Sequence, residues 1–201
     1  MSRMWDHQRE AVNFAQNRRA TLWHMGMGTG KSRCAIELAK RIGASKVLVL
    51  CPLSVCTGWE DQLARFGSDF RCVTLRKGSV KAKAEQARRA LDQSHTVGGH
   101  IFVVVNYESA YREPLSRLLQ AQGFDLLVMD ESHRIKSPSG KTSRWVSRLA
   151  KTCKRKVALT GTPMPHSPLD VYAQFWAGTP TRRAGMSSTF PMRCIRRSAW
   201  T

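Results

Sequence analysis

The chain has 201 residues and a mass of 22.6 kDa, enough to bury a core as one domain but too little for two nucleotide-binding-sized lobes. Its 42% hydrophobic and 23% charged residues exclude a wholly disordered chain. The 33 Lys and Arg against 14 Asp and Glu, a formal charge of +19, predict polyanionic partners, nucleic acid ahead of anionic membrane.

No run approaches the roughly 18 apolar residues of a membrane span, and the opening Met1-Ser2-Arg3-Met4-Trp5-Asp6 lacks the apolar stretch of a signal peptide. A cytoplasmic protein with no membrane partner is the expectation. The six cysteines include no C-x-x-C pair, so they read as small buried hydrophobes rather than a zinc or disulfide framework.

Along the chain, short continuous apolar runs recur: Ala20 to His24, Val47 to Cys51, Cys72 to Leu75, Ile101 to Val105, Leu126 to Met129 and Val157 to Leu159. Such runs predict strands of a sheet covered on both faces. Between them, Ala35, Leu38, Ala39 and Ile42 repeat at helical spacing, as do Trp59, Leu63 and Phe66. Lys81 to Gln93 predicts an exposed helix with a solvated basic face. This alternation specifies an α/β fold with a mostly parallel sheet. Charge is uneven: residues 132–201 carry 14 basic side chains and one acid, Asp170, while residues 1–131 carry 19 and 13. From Gly178 the chain is Arg-rich without apolar period, so residues 178–201 are expected to form a poorly ordered basic tail after a domain over 1–177.

Met25-Gly26-Met27-Gly28-Thr29-Gly30-Lys31-Ser32 sits between a predicted strand and a predicted helix. In that context it is a candidate phosphate loop, since a helix N-terminus offers free backbone N–H groups and a favourable dipole to anions. Gly28, Thr29 and Gly30 would wrap the β-phosphate, Lys31 would reach the β- and γ-phosphates, and the Ser32 hydroxyl would ligate Mg²⁺. Met25 stands where G-x-x-x-x-G-K-[ST] has its first glycine, which leaves a plain Gly-rich turn as the alternative. A dinucleotide site fits worse, because Arg33 occupies the position of its third glycine. Further on, Asp130-Glu131-Ser132-His133 follows a predicted strand. Asp130 at such a tip is suited to holding Mg²⁺ through water, on a strand neighbouring the phosphate loop, or to capping a helix. Glu131 would deprotonate the attacking water.

Together these segments resemble the first RecA-like lobe of a superfamily 2 helicase of the SNF2-like, DNA-dependent ATPase group. Met27 to Ser32 resembles motif I, Asp130 to His133 with Arg134-Ile135-Lys136 the acidic box, and Thr160-Gly161-Thr162-Pro163 motif III. Cys51-Pro52-Leu53-Ser54-Val55 with Trp59-Glu60 resembles motif Ia, Asn106-Tyr107-Glu108 motif Ib, and His7-Gln8 the adenine-reading motif. The resemblance implies a P-loop NTPase of RecA-like three-layer architecture using ATP and Mg²⁺, with Gln8 on adenine and Lys31, Asp130 and Glu131 catalytic. It also implies that His133, Thr160 and Thr162 couple the nucleotide to DNA, and that Pro52, Ser54 and Tyr107 begin DNA-facing loops for duplex or single strands. The basic residues after Glu131 offer a surface for phosphates.

Such motors take an arginine finger from a second lobe, and no Q-x-x-G-R-x-x-R segment occurs in the sequence. The expectation is a second RecA-like lobe on another chain, or one lost by truncation where the frame changes near Gly178. The lack of long insertions suggests, within that family, a bacterial or phage-infected cell. Two function classes stay open: an ATP-dependent DNA helicase or translocase lobe with little activity alone, and a non-catalytic, nucleotide-responsive DNA-binding module. A small-molecule kinase would leave Thr160-Gly161-Thr162 and the charge unexplained.

Overall fold

The computed structural model describes residues 3–97, 99–135 and 140–161, the side chains of 95–97 excepted. Each expected run lies within a strand: β1 (Ala20–His24), β2 (Lys46–Cys51), β3 (Phe70–Leu75), β4 (His100–Asn106), β5 (Leu126–Met129) and β6 (Arg155–Thr160). They form one sheet in the order β1-β6-β5-β2-β4-β3, with every ladder parallel. The helices are α1 (Asp6–Gln16), α2 (Lys31–Arg41), α3 (Cys56–Phe66), α4 (Val80–Val97), α5 (Tyr107–Ala110), α6 (Leu115–Ala121) and α7 (Lys141–Thr152).

The strand period of two explains why the runs are apolar throughout. In β4, Phe102 and Val104 face a core shared with α1, α2 and α3, where Val12, Ile36 and Leu63 are buried. Ile101, Val103 and Val105 face the opposite core, built with Leu91 of α4, Leu119 of α6 and Leu149 of α7. Two cores on one sheet make the three layers of a RecA-like domain.

Two stretches differ from the sequence expectation. Residues 81–93 do not form a merely exposed helix: Ala84, Ala87, Ala90 and Leu91 of α4 are buried, and so is Lys83, whose Nζ donates to Ser109 Oγ at 2.8 Å and Asn106 Oδ1 at 3.4 Å. Burial holds the Lys83 ammonium below the ordinary lysine pKa. The segment noted only for its basic residues contains α7, which buries Trp145, Val146 and Leu149 and exposes Lys141, Arg144, Arg148 and Lys151.

Asp125 works at the N-terminal edge of the sheet. Its Oδ2 accepts from the N–H groups of Ser45 and Lys46 at 2.9 and 3.0 Å, and its Oδ1 from Lys154 Nζ at 2.7 Å. Burial pushes this carboxyl up, but the ammonium and the two amides outweigh it and hold it below the usual carboxylate range. Asp125 therefore stitches β2 to β5 far from Asp130.

Candidate nucleotide site

In an all-parallel sheet every strand ends on the same edge, and the sequence places its motifs there. The glycine-rich loop leaves β1, Thr160 closes β6, and Asp130 follows β5. The acid pair is thus not on a strand adjacent to the loop's strand: β6 lies between them, paired to β1 with Thr160 opposite His24 and to β5 on its other side. This corrects the expected adjacency, and it seats Thr160 between the two halves of the site. Thr160 is fully buried, and its carbonyl accepts from Met25 N–H at 3.2 Å. His24 Nε2 lies 3.0 Å from the Gly161 carbonyl.

The loop is shaped by glycine. Gly28 and Gly30 have φ of +73° and +84°, in the left-handed region where a side chain is strained. Gly30 is the N-cap of α2, and a Cβ there would collide with Gln8 Nε2. Thr29 closes the loop by donating Oγ1–H to the Gly26 carbonyl at 2.7 Å. Lys31 Nζ donates to the carbonyls of Met25 and Gly26, each at 3.1 Å. These partners are neutral, so the ammonium stays available to an anion at the helix N-terminus, beside the half-buried Ser32. Gln8 is buried and engaged at both ends: Oε1 accepts from Trp5 N–H at 3.1 Å, and Nε2 donates to the Thr29 carbonyl at 3.0 Å. His7 Nε2 meets the same carbonyl at 3.1 Å. The opening helix therefore holds the phosphate loop directly.

Asp130 is only 4% exposed, and each carboxylate oxygen has one protein donor. Oδ2 accepts from Trp59 Nε1–H and Oδ1 from Glu131 N–H, both at 2.9 Å. Burial raises the Asp130 pKa against the pull of Trp59; Glu131 pushes it further up, and the Lys31 ammonium draws it down. A buried carboxylate that feels the loop lysine suits a hydrated cation, and each of its oxygens keeps a further lone pair for a metal-bound water. Glu131 adopts φ of +48°, unusual for a residue with a Cβ. Its Oε2 lies 3.3 Å from His133 Nδ1, within ion-pair range but without hydrogen-bond alignment, so that buried nitrogen has no hydrogen-bond partner among the described residues.

The residues named as DNA-facing divide. Ser54 is exposed in the 3₁₀ turn Leu53–Val55. Pro52 is buried, and so is Tyr107, at 1% exposure with its hydroxyl donating to the Asp130 carbonyl at 2.9 Å. Their side chains are internal supports and present no surface to DNA. Thr162, Lys136 and residues 178–201 lie outside the described residues. Sequence reasoning missed Trp59 as a partner of Asp130, because its spacing with Leu63 and Phe66 already accounted for it as core.

The model of the SNF2-related domain family matches residues 7–176. The chain belongs to that family. Among curated relatives, this SNF2-related domain is 31% identical over 152 residues to the mouse chromodomain-helicase-DNA-binding protein 1-like, covering 73% of the chain and 16% of that protein. It is 25% identical over 187 residues to Protein CHROMATIN REMODELING 25 of Arabidopsis thaliana, covering 83% and 20% respectively. The Sulfolobus solfataricus SWI2/SNF2 ATPase core, solved in complex with dsDNA, superposes with a TM-score of 0.72 at 24% identity, over 89% of this chain and 36% of that one. The chain thus spans about a fifth or less of these curated relatives. Their sources are animal and plant, and the solved core comes from Sulfolobus, so they lend no support to the expected bacterial or phage-infected cell. No described helix is long and apolar enough to cross a membrane.

Proposed function

We propose that this chain is the ATP-binding first lobe of an SNF2-like DNA translocase or helicase, working with a second RecA-like lobe supplied by another part of the protein or another chain. The observation that carries this reading is the convergence of Lys31, Thr160, Asp130 and Glu131 at the C-terminal ends of β1, β6 and β5. Mg-ATP, when bound, supplies a transferable γ-phosphoryl group whose charge the metal partly neutralises. Gly28, Thr29, Gly30 and Lys31 hold the phosphates, Ser32 and Asp130 hold the metal, and Gln8 sets the loop against the adenine side. Glu131 accepts the proton of the attacking water. His133, Thr160 and Thr162 pass the nucleotide state toward the DNA. A binding module alone would have no use for a base one residue beyond the metal carboxylate.

Fluorescent ATP titrated onto the purified chain with Mg²⁺ should bind saturably, and Lys31→Ala should weaken binding about 10- to 100-fold, the range of a lost charge-assisted hydrogen bond. A wild-type chain that does not bind removes the reading. Turnover by residues 1–201 should rise when a second-lobe protein is added, because the arginine such a lobe contributes is worth about 10³ to 10⁵ in rate.

DNA contact is read from charge. Lys141, Arg144, Arg148 and Lys151 follow one another on the exposed face of α7, a helix with no acidic residue. Each phosphate contact adds about 0.9 to the slope of log affinity against log salt. Changing all four to Gln should lower that slope by roughly 2 to 4 on duplex DNA without altering the fold. An unchanged slope would exclude α7 from the interface.

A further inference from the structure

We infer that Trp59 is a positioning residue of the metal site, holding the Asp130 carboxylate in its metal-binding orientation through the indole N–H. This rests on the proposed role of Asp130. Trp59 is fully buried in α3, 71 residues from Asp130 in sequence, and its Nε1 lies 2.9 Å from Oδ2. A buried indole needs a partner as a general tendency, yet this fold leaves two without one: the indole nitrogens of Trp23 and Trp145 are buried with no hydrogen-bond partner among the described residues. Satisfying an indole is therefore not what the core enforces here, and Trp59 differs in being aimed at a carboxylate.

The consequence is geometric. Glu131 N–H holds Oδ1 and Trp59 holds Oδ2, so the carboxyl plane cannot rotate without breaking a buried hydrogen bond. The main chain is fixed as well: Asp130 N–H donates to the Leu50 carbonyl at 2.8 Å, and the Asp130 carbonyl accepts from Tyr107. Pre-set ligands bind a cation without first losing rotamer freedom, and removing such an outer partner typically costs 10- to 100-fold in metal affinity. Trp59 also lies five residues after the exposed Ser54, whose 3₁₀ turn runs directly into α3, so one short segment joins the open edge to the metal carboxylate.

Trp59→Phe keeps a buried ring and removes the donor. In the full chain, the Mg²⁺ concentration that half-saturates nucleotide binding should rise 10- to 100-fold, while metal-free nucleotide affinity stays within twofold. Mn²⁺ titrated in the presence of ADP and followed by electron paramagnetic resonance should show the same loss. In an Asp130→Asn background, Trp59→Phe should add nothing. If Trp59→Phe does not fold, benzothienylalanine at position 59, which has the shape of Trp without the N–H, replaces it. An unchanged Mg²⁺ requirement overturns the inference, as does an equal fall in metal-free and metal-dependent binding, or additive loss in the Asp130→Asn background. A wild-type chain whose nucleotide binding ignores Mg²⁺ overturns the metal role of Asp130, and the inference with it, while one that binds no nucleotide overturns the proposed function.

Discussion

Glu131→Gln, measured as phosphate release once a second lobe is present, is expected to lower ATP turnover by about 10² to 10⁴, the usual contribution of a positioned general base. The replacement is nearly isosteric and leaves Asp130, Lys31 and the loop in place, so Mg-ATP affinity should change by no more than a few-fold. The main chain at Glu131 sets where its side chain lies. Glu131 holds φ of +48°, a conformation that costs a residue with a Cβ roughly 1 to 3 kcal/mol and persists where the surrounding structure imposes it. Asp130 supplies that constraint, since its carboxylate accepts from Glu131 N–H. The side chain is then left half-buried beside His133 rather than in the core with Ser132. Because the strain belongs to the main chain, Gln inherits it, and the thermal midpoint should not move. A Gln variant that turns over at the wild-type rate would remove Glu131 from the chemistry.

The strands could be read in advance because the inner ones, β2, β4, β5 and β6, send apolar residues into both cores, a pattern that burial in the middle of three layers requires. The edge strand β3 keeps only Val73 and Leu75 buried in its run, with Arg71 exposed beside it. The order of the strands could not be read in advance. Nothing local to residues 155–160 shows that β6 inserts between β1 and β5, since pairing is decided by crossovers that the sequence does not mark. The helices were unequally legible. In α2, Ala35, Leu38 and Ala39 repeat without interruption, whereas α4 buries mostly alanines among lysines and arginines, and so small an apolar face gives a weak periodic signal even when it buries completely. In α7, Trp145, Val146, Leu149 and Ala150 stand at plain helical spacing on one face, a signal as clear as that of α2 in a segment whose charge drew the reading instead.

The site shows the same division. Gly28, Gly30 and Lys31 announce themselves because close approach to an anion demands those residue types at that spacing. Supporting contacts make no such demand. Tyr107, which the resemblance places at the start of a DNA-facing loop, has its side chain buried on the Asp130 carbonyl, and the helical spacing of Trp59 marks it only as core, because a hydrogen bond across 71 residues leaves no pattern along the chain.

Phe102→Ala is expected to cost about 3 to 5 kcal/mol, a large part of the roughly 5 to 15 kcal/mol that holds a domain together. Phe102 lies fully buried in β4, flanked in register by Val47 of β2 and Cys72 of β3. Its ring meets Phe70 edge to face, with centroids 4.8 Å apart at 87°, so truncation removes an aromatic pair as well as apolar area. The sheet cannot collapse into the gap, because ladders on both sides fix the strand. Leu53→Ala is the control: Leu53 is 49% exposed in its turn, and its loss should stay within about 0.5 kcal/mol. Urea midpoints for both variants at matched slope measure the difference. Phe102 shares its core with Trp59 and α2, so nucleotide binding by the folded fraction should keep its affinity while the number of competent molecules falls. A normal midpoint for Phe102→Ala would mean that this side of the sheet is not closed by α1, α2 and α3 as described.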